Sequence, residues 1–70
     1  MTDDEILNVA RRYAADQGWA WRQPVRVERL KEGGVSVCRV DTHVGRRGLN
    51  VRIVLRESDG AVLDAAYLQR

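Results

Sequence analysis

The sequence predicts an α+β fold: one N-terminal helix packed on a four-stranded antiparallel meander sheet, in the order α-β-β-β-β. Two segments carry most of this prediction, a capped amphipathic helix at the start and a hairpin at the end, and two less regular strand patterns separated by Gly33-Gly34 lie between them. With 70 residues, we expect one small domain over residues 1–70. Its core would be too small to surround a catalytic cleft of several residues.

The helix has clear signals at both ends. Thr2-Asp3-Asp4-Glu5 has the pattern of a capping box, in which the Thr hydroxyl and the Glu carboxylate each accept from an otherwise unpaired backbone N–H. Gly18 is a typical C-terminal stop. Apolar residues recur between these ends at helical spacing: Ile6, Leu7, Ala10, Tyr13 and Ala14. We therefore predict a helix from about Asp3 to Gln17.

The C-terminal hairpin has a predictable register. Ser58-Asp59-Gly60 suits a type I turn followed by a left-handed residue, which Gly60 adopts at no steric cost. Counting outward, we expect Leu55/Leu63, Ile53/Ala65 and Val51/Tyr67 on the face toward the helix, and Arg56/Val62, Val54/Asp64 and Arg52/Ala66 on the other face. This register would flank Asp64 with Arg52 and Arg56, a cross-strand charge cluster worth ~0.2–1 kcal/mol.

The middle of the chain predicts two further strands. Gln23-Pro24 favours extended chain, and the pattern from Val25 to Leu30 indicates a strand that ends by Gly33-Gly34. A second strand would run from Val35 to Thr42, followed by a loop from His43 to Gly48. Simple alternation puts Val37 and Val40 on opposite faces, so we expect a β-bulge near Val37 or Cys38 that brings them together.

Composition limits the classes of protein. One cysteine allows no internal disulfide, and no apolar run is long enough to cross a membrane. The acidic segment Met1 to Glu5 is the opposite of a signal peptide. We therefore expect a cytoplasmic location without membrane association. The formal net charge is +2, and acidic residues are interspersed among the arginines, so we do not expect nucleic-acid binding as the main function.

Several residues are candidates for contact with a ligand or partner. The loop from His43 to Gly48 could hold an anion through Arg46 and Arg47, although a hairpin connection with solvated arginines is the favoured interpretation. Arg52 and Arg56 on the sheet face are further candidates for anion or partner contact. Trp21 is the fifth, because Trp is enriched in binding hot spots, although we favour a structural role for Trp19 and Trp21.

The sequence predicts no catalytic residue, no metal ligand and no cofactor. His43 is the only histidine, and it has neither a second His nor a cluster of acids nearby. Cys38 has no thiol partner, and no base is placed to activate it. We expect Cys38 to be a buried or half-buried apolar thiol.

The layout resembles a known class of small domain. The matching features are the acidic helix start Asp3-Asp4-Glu5, Ala10 and Ala14 on the helix, and Ser58-Asp59-Gly60-Ala61-Val62-Leu63 at the last hairpin. Together they look like the PepSY-type small domain and, more broadly, like cystatin-like folds. This chain has Ser-Asp-Gly where the family commonly has a Thr-Gly turn. The resemblance implies a curved antiparallel sheet around a helix and a binding, inhibitory or regulatory role, and it carries over no catalytic residue.

We therefore expect a non-enzymatic binding or regulatory module with an unidentified protein partner, with homodimerisation as one form of that partnership. The alternative is a weak nucleic-acid or anion binder that uses an Arg-rich loop and sheet face, with Arg26, Arg46, Arg47, Arg52 and Arg56 as contacts. An enzyme ranks third, because no base, nucleophile and orienting group converge in the sequence.

Overall fold

The computed structural model describes the backbone of residues 1–69 and the side chains of residues 1–68. It contains one helix and four strands in this order: α1 Asp3–Gln17, β1 Arg26–Glu32, β2 Val35–Asp41, β3 Leu49–Arg56 and β4 Val62–Gln69. The strands form one antiparallel sheet in the order β1-β2-β3-β4. The predicted α+β class and element order are confirmed.

Helix α1 has the predicted bounds and caps. The Thr2 backbone N–H donates to Glu5 Oε1 at 2.8 Å, and the Glu5 N–H donates to Thr2 Oγ1 at 3.2 Å. The bond from the Thr2 backbone lowers the pKa of the Glu5 carboxyl below its ordinary value. At the other end Gly18 has φ 76°, and its N–H donates to Ala15 O at 3.1 Å. The capping signals in the sequence therefore set both ends of the helix.

The core lies between α1 and one face of the sheet, which we call the inner face. Helix α1 packs on the two middle strands, β2 and β3. The cluster of fully buried residues comprises Ile6, Ala10, Ala14, Cys38, Val40, Val51, Ile53 and Leu55. Leu7 and Tyr13 of the predicted helix stripe pack beside this cluster and are half-buried. The opposite face of the sheet, called the outer face, carries no helix among the described residues.

The predicted β3–β4 register is confirmed in the part of the two strands away from the turn and is wrong next to the turn. Val51/Tyr67, Arg52/Ala66, Ile53/Ala65 and Val54/Asp64 pair as predicted, but Leu55 pairs with Val62. The Arg56 N–H donates to Ala61 O at 2.8 Å, so the predicted pairs Leu55/Leu63 and Arg56/Val62 do not form. Leu63 is the extra residue of a bulge in β4. This bulge turns Val62 toward the core and leaves Leu63 49% exposed.

Strand β2 has no bulge, so that prediction is wrong. Its pairing is continuous with both β1 and β3. Cys38 and Val40 face α1, whereas Val37 is on the outer face and is still only 2% exposed. Its cross-strand neighbours there are Leu30 and Arg56. Because long neighbouring side chains cover the outer face of a middle strand, Val37 is buried without any change of register.

In the described residues no helix is both long and apolar enough to cross a membrane.

Candidate functional site

A charge network lies on the outer face of β1, β2 and β3. Its centre is Asp41, whose side chain is 0% exposed. Arg52 Nε donates to Asp41 Oδ1 at 2.8 Å, and Arg39 Nε and Arg26 Nη2 lie 3.4 Å and 3.6 Å from Oδ2. Glu28 accepts from Arg26 Nε at 2.9 Å and from Arg39 Nη2 at 3.1 Å. These five residues, the outer-face network, carry a formal charge of only +1.

Asp64 does not take part in this network, so the predicted Asp64 charge cluster is wrong. Asp64 lies opposite Val54 as expected, but it is exposed and makes no ion pair with any of residues 1–68. Arg52 is directly opposite Asp41 and pairs with it instead. Arg56 binds Asp59 in the turn with both Nε and Nη2, each bond 3.0 Å long. The two arginines therefore bind Asp41 and Asp59, and neither binds Asp64.

The Arg56–Asp59 pair shifts the titration of both groups. Hydrogen bonding to Arg56 lowers the pKa of the Asp59 carboxyl, and a bond from the Ala61 N–H lowers it further. The same pair raises the pKa of Arg56. The two side chains are 43% and 53% exposed, so solvent screening keeps the contribution of the pair to stability small.

Arg46 and Arg47 are the most available of the predicted anion contacts. Both are exposed, and neither forms an ion pair with any residue in the part of the chain whose side chains are described. The Arg46 N–H donates to His43 O at 3.2 Å, so this loop amide is used within the loop. Arg52 and Arg56 each form a hydrogen bond with an acid, Asp41 and Asp59 respectively, so Arg46 and Arg47 are the two of these four arginines without an acidic partner among the described side chains.

The two tryptophans are half-buried and pack against the core cluster. The Trp19 ring stacks on Tyr67 with centroids 5.6 Å apart, and Tyr13 approaches it edge-on at 5.9 Å. Trp21 is half-buried and packs against the core cluster. The Arg11 guanidinium lies 5.7 Å from the Trp21 ring centroid, within cation–π distance.

Cys38 is buried on the inner face with the core cluster, and Arg29 Nη1 donates a long hydrogen bond of 3.8 Å to its Sγ from the neighbouring strand β1. Burial raises the pKa of its thiol, and the negative charge of Glu57 adds to this effect. Both influences favour the neutral thiol over the reactive thiolate.

Arg29 makes tertiary contacts that the sequence did not predict. From β1, its guanidinium donates to Asp3 Oδ1 at 2.7 Å, to Met1 O at 3.1 Å and to the Glu57 carboxylate. The bond to Asp3 raises the pKa of Arg29. This side chain joins the helix start, β1 and the turn after β3. No sequence signal indicates it, because its partners are far apart in the chain.

The two edge strands differ sharply in composition. Five of the seven residues of β1 are charged, a pattern that protects an edge from pairing with another chain. The described side chains of β4, residues 62–68, include one charge, that of Asp64. Leu63 and Leu68 on this strand are 49% and 38% exposed. We call the unpaired side of β4 the β4 edge; it presents a row of free backbone N–H and C=O groups.

A groove lies on the inner face between one side of α1 and the start of β4. It has a volume of about 310 Å³ and is lined by Asn8, Val9, Arg12, Tyr13, Asp16 and Val62. Because α1 lies over β2 and β3, β4 extends past the helix, and the space between them stays open. We call it the α1–β4 groove. The sequence does not indicate this groove, since it depends on where the helix sits across the sheet.

Comparison with protein-family models, with curated protein sequences and with solved structures found no match.

Proposed function

We propose that this chain is a non-enzymatic protein-binding module whose contact surface is the β4 edge together with the α1–β4 groove. The observation that carries the proposal is the composition of the edge strand β4, whose described side chains are mostly apolar and include a single charge, that of Asp64. The free N–H and C=O groups of β4 are matched by another extended strand, which would add to the sheet as its fifth strand. Side chains of that strand alternate between the two faces, so every second one would lie on the inner face, where the groove is.

Two further observations support this surface over others. The β1 edge is occupied by charged side chains, whereas exposed leucines flank the β4 edge. The surface that lines the groove is mostly apolar, with Val9, Tyr13 and Val62 among the lining residues, and a few polar side chains complete it. A few polar groups around an apolar concavity are typical of binding sites. The resemblance to PepSY-type domains also implies a binding or regulatory role. We further propose that the protein acts in the cytoplasm, where the free thiol of Cys38 would stay reduced.

Substituting Leu63 with Lys should abolish capture of the partner. We would immobilise the chain, incubate it with native lysate supplemented with untagged copies of the chain, and identify the retained proteins by mass spectrometry. A charge at the β4 edge disfavours strand addition, so proteins bound there should be lost.

The matched control is Val35→Lys, because Val35 is 43% exposed but lies in β2. It should leave capture intact, and both variants should keep the wild-type circular dichroism spectrum. The proposal fails if nothing is retained, or if Leu63→Lys and Val35→Lys have the same effect.

Anion binding at the loop is a second candidate function, favoured by the exposure of Arg46 and Arg47 and by their lack of an ion pair with residues 1–68. We expect this binding to be weak and salt-sensitive, because two arginines neutralise few phosphates. The outer-face network adds little, since its acids offset most of its positive charge.

Replacing Arg46 and Arg47 together by Ala should remove retention on a heparin column and change the free energy of unfolding by less than ~0.5 kcal/mol. Arg11→Ala/Arg12→Ala removes the same charge from an exposed helical pair and should leave retention largely unchanged. Binding that persists at ~0.2 M salt, or that discriminates between base sequences, would contradict this interpretation and rank nucleic-acid recognition first.

A further inference from the structure

We infer that the partner of the β4 edge is a second copy of this chain, joined antiparallel to the first across a two-fold axis that passes beside Ala65. The inference rests on the proposed function for the choice of surface and goes further by naming the occupant. It follows from the symmetry of strand pairing and from three features of β4.

Symmetry restricts how β4 can pair with itself. A two-fold axis perpendicular to the sheet makes two identical strands antiparallel, and it places one residue opposite its own copy. Both helices then lie on the same face of a continuous eight-stranded sheet. Ala65 and Ala66 lie at the middle of β4, and Ala65 faces the helix side. Either one could sit at the axis, because a methyl group leaves room for the second chain.

The apolar side chains favour the axis at Ala65. In that register Leu63 of one copy lies opposite Tyr67 of the other, twice by symmetry. The bulge puts both Val62 and Leu63 opposite Leu55, which faces the core, so Leu63 and Tyr67 share the inner face. Leu63 is 49% exposed and Tyr67 half-buried in the single chain. Pairing across the axis would cover both.

Charge complementarity favours the same register. Asp64 would lie opposite Ala66 of the second copy, whose neighbour in β3 is Arg52. Two strand spacings separate Asp64 from that Arg52, roughly 9–10 Å between Cα atoms, and only the small Ala66 side chain lies between them. Arg52 binds Asp41 through Nε, and its Nη atoms make no hydrogen bond with residues 1–68. Two symmetric Asp64–Arg52 ion pairs would form.

The alternative register, with Ala66 at the axis, lacks this match. It would place Asp64 opposite Leu68 of the second copy, a charge against an exposed apolar side chain. The Ala65 register also closes the assembly. Once the two β4 strands are paired, the remaining edges are the two charged β1 strands, which resist further strand addition. The expected assembly is therefore a closed dimer and not a filament.

Sedimentation equilibrium over a concentration series from micromolar to sub-millimolar tests the dimer. The apparent mass should rise from 8.0 kDa toward twice that value. Asp64→Arg sets two like charges against each other at each Asp64–Arg52 contact, and we expect it to weaken dimerisation at least ~10-fold. Glu32→Arg makes the same charge change on β1 and should leave dimerisation unchanged. A wild-type chain that remains at 8.0 kDa throughout would overturn the inference.

Cross-linking tests the register itself. Ala65→Cys would place two thiols directly opposite each other at the axis, close to the separation that a disulfide requires. Ala66→Cys is the matched control, because in this register Ala66 lies opposite Asp64 and not opposite itself. Cys38 is buried and present in both variants. Under mild oxidation Ala65→Cys should form a covalent dimer at least ~10-fold faster than Ala66→Cys. Equal rates, or a faster Ala66→Cys, would overturn the register.

Failure of the second-copy inference can be distinguished from failure of the proposed function. If the wild-type chain is monomeric while it captures another protein in a manner that Leu63→Lys abolishes, the second-copy inference is wrong and the binding surface stands. If the chain dimerises but Leu63→Lys and Asp64→Arg have no effect on the dimer, the second-copy inference is wrong, and the surface is wrong as well if Leu63→Lys also leaves the capture of other proteins unchanged.

Discussion

Replacing Ile53 with Ala will lower the free energy of unfolding by ~2–5 kcal/mol, the range measured for large-to-small substitutions in protein cores. Ile53 is fully buried at the centre of β3, opposite Val40 on one side and Ala65 on the other. Its removal leaves a cavity under α1 that neighbouring alanines are too small to fill. The loss is a large part of the total for a small domain, and urea denaturation followed by circular dichroism measures it.

The neighbouring residue provides the control. Val54 lies on the outer face and is half-buried, so Val54→Ala should cost clearly less than Ile53→Ala. If Ile53→Ala does not fold, Ile53→Val should still fold with a loss of ~0.5–1.5 kcal/mol. A cost below ~1 kcal/mol for Ile53→Ala would contradict the packing of α1 on the inner face.

The second large effect is expected at Asp41. Asp41→Asn keeps the shape of the side chain but removes the charge that three arginines surround, and it turns an amide N–H₂ toward one or more of their donors. We expect a loss of about 3 kcal/mol in the free energy of unfolding, between the value for a hydrogen bond to a charged group and that for a broken buried ion pair. Thermal and urea denaturation would both report it.

Asp64→Asn is the matched control on the same face of the sheet. Asp64 is exposed and has no ion pair among residues 1–68, so its substitution should change stability by less than ~0.5 kcal/mol, measured at concentrations at which the chain is monomeric. Equal effects at Asp41 and Asp64 would mean that burial of the Asp41 carboxylate has no energetic consequence.

The sequence predicted local structure well because its signals are local. The capping box formed by Thr2 and Glu5 sets the start of the helix, and the left-handed Gly18 sets its end. Each signal involves only residues next to the helix end that it sets. Gly60 likewise has the positive φ that its turn requires. The β3–β4 register was right where alternation alone decides it. It was wrong beside the turn, because packing of Val62 against the core selects a bulge there.

The candidate sites were predicted less well, because they depend on neighbours that are distant in sequence. Asp41 was not singled out, although it binds Arg52 on β3 and Arg26 on β1. Its role becomes visible only when β1, β2 and β3 are aligned side by side. Arg29 shows the same limit, since its partners belong to the helix start and to a turn.

The sequence by itself determined the class of fold, the order of elements and the faces of β3, because capping, turn chemistry and alternation act between residues close in the chain. Only the tertiary structure decided which acid pairs with Arg52, why Val37 is buried on the outer face, and where α1 lies across the sheet. That last position leaves β4 uncovered beside an open groove. These features depend on contacts between segments far apart in the chain, and they determine the surface that is available for binding.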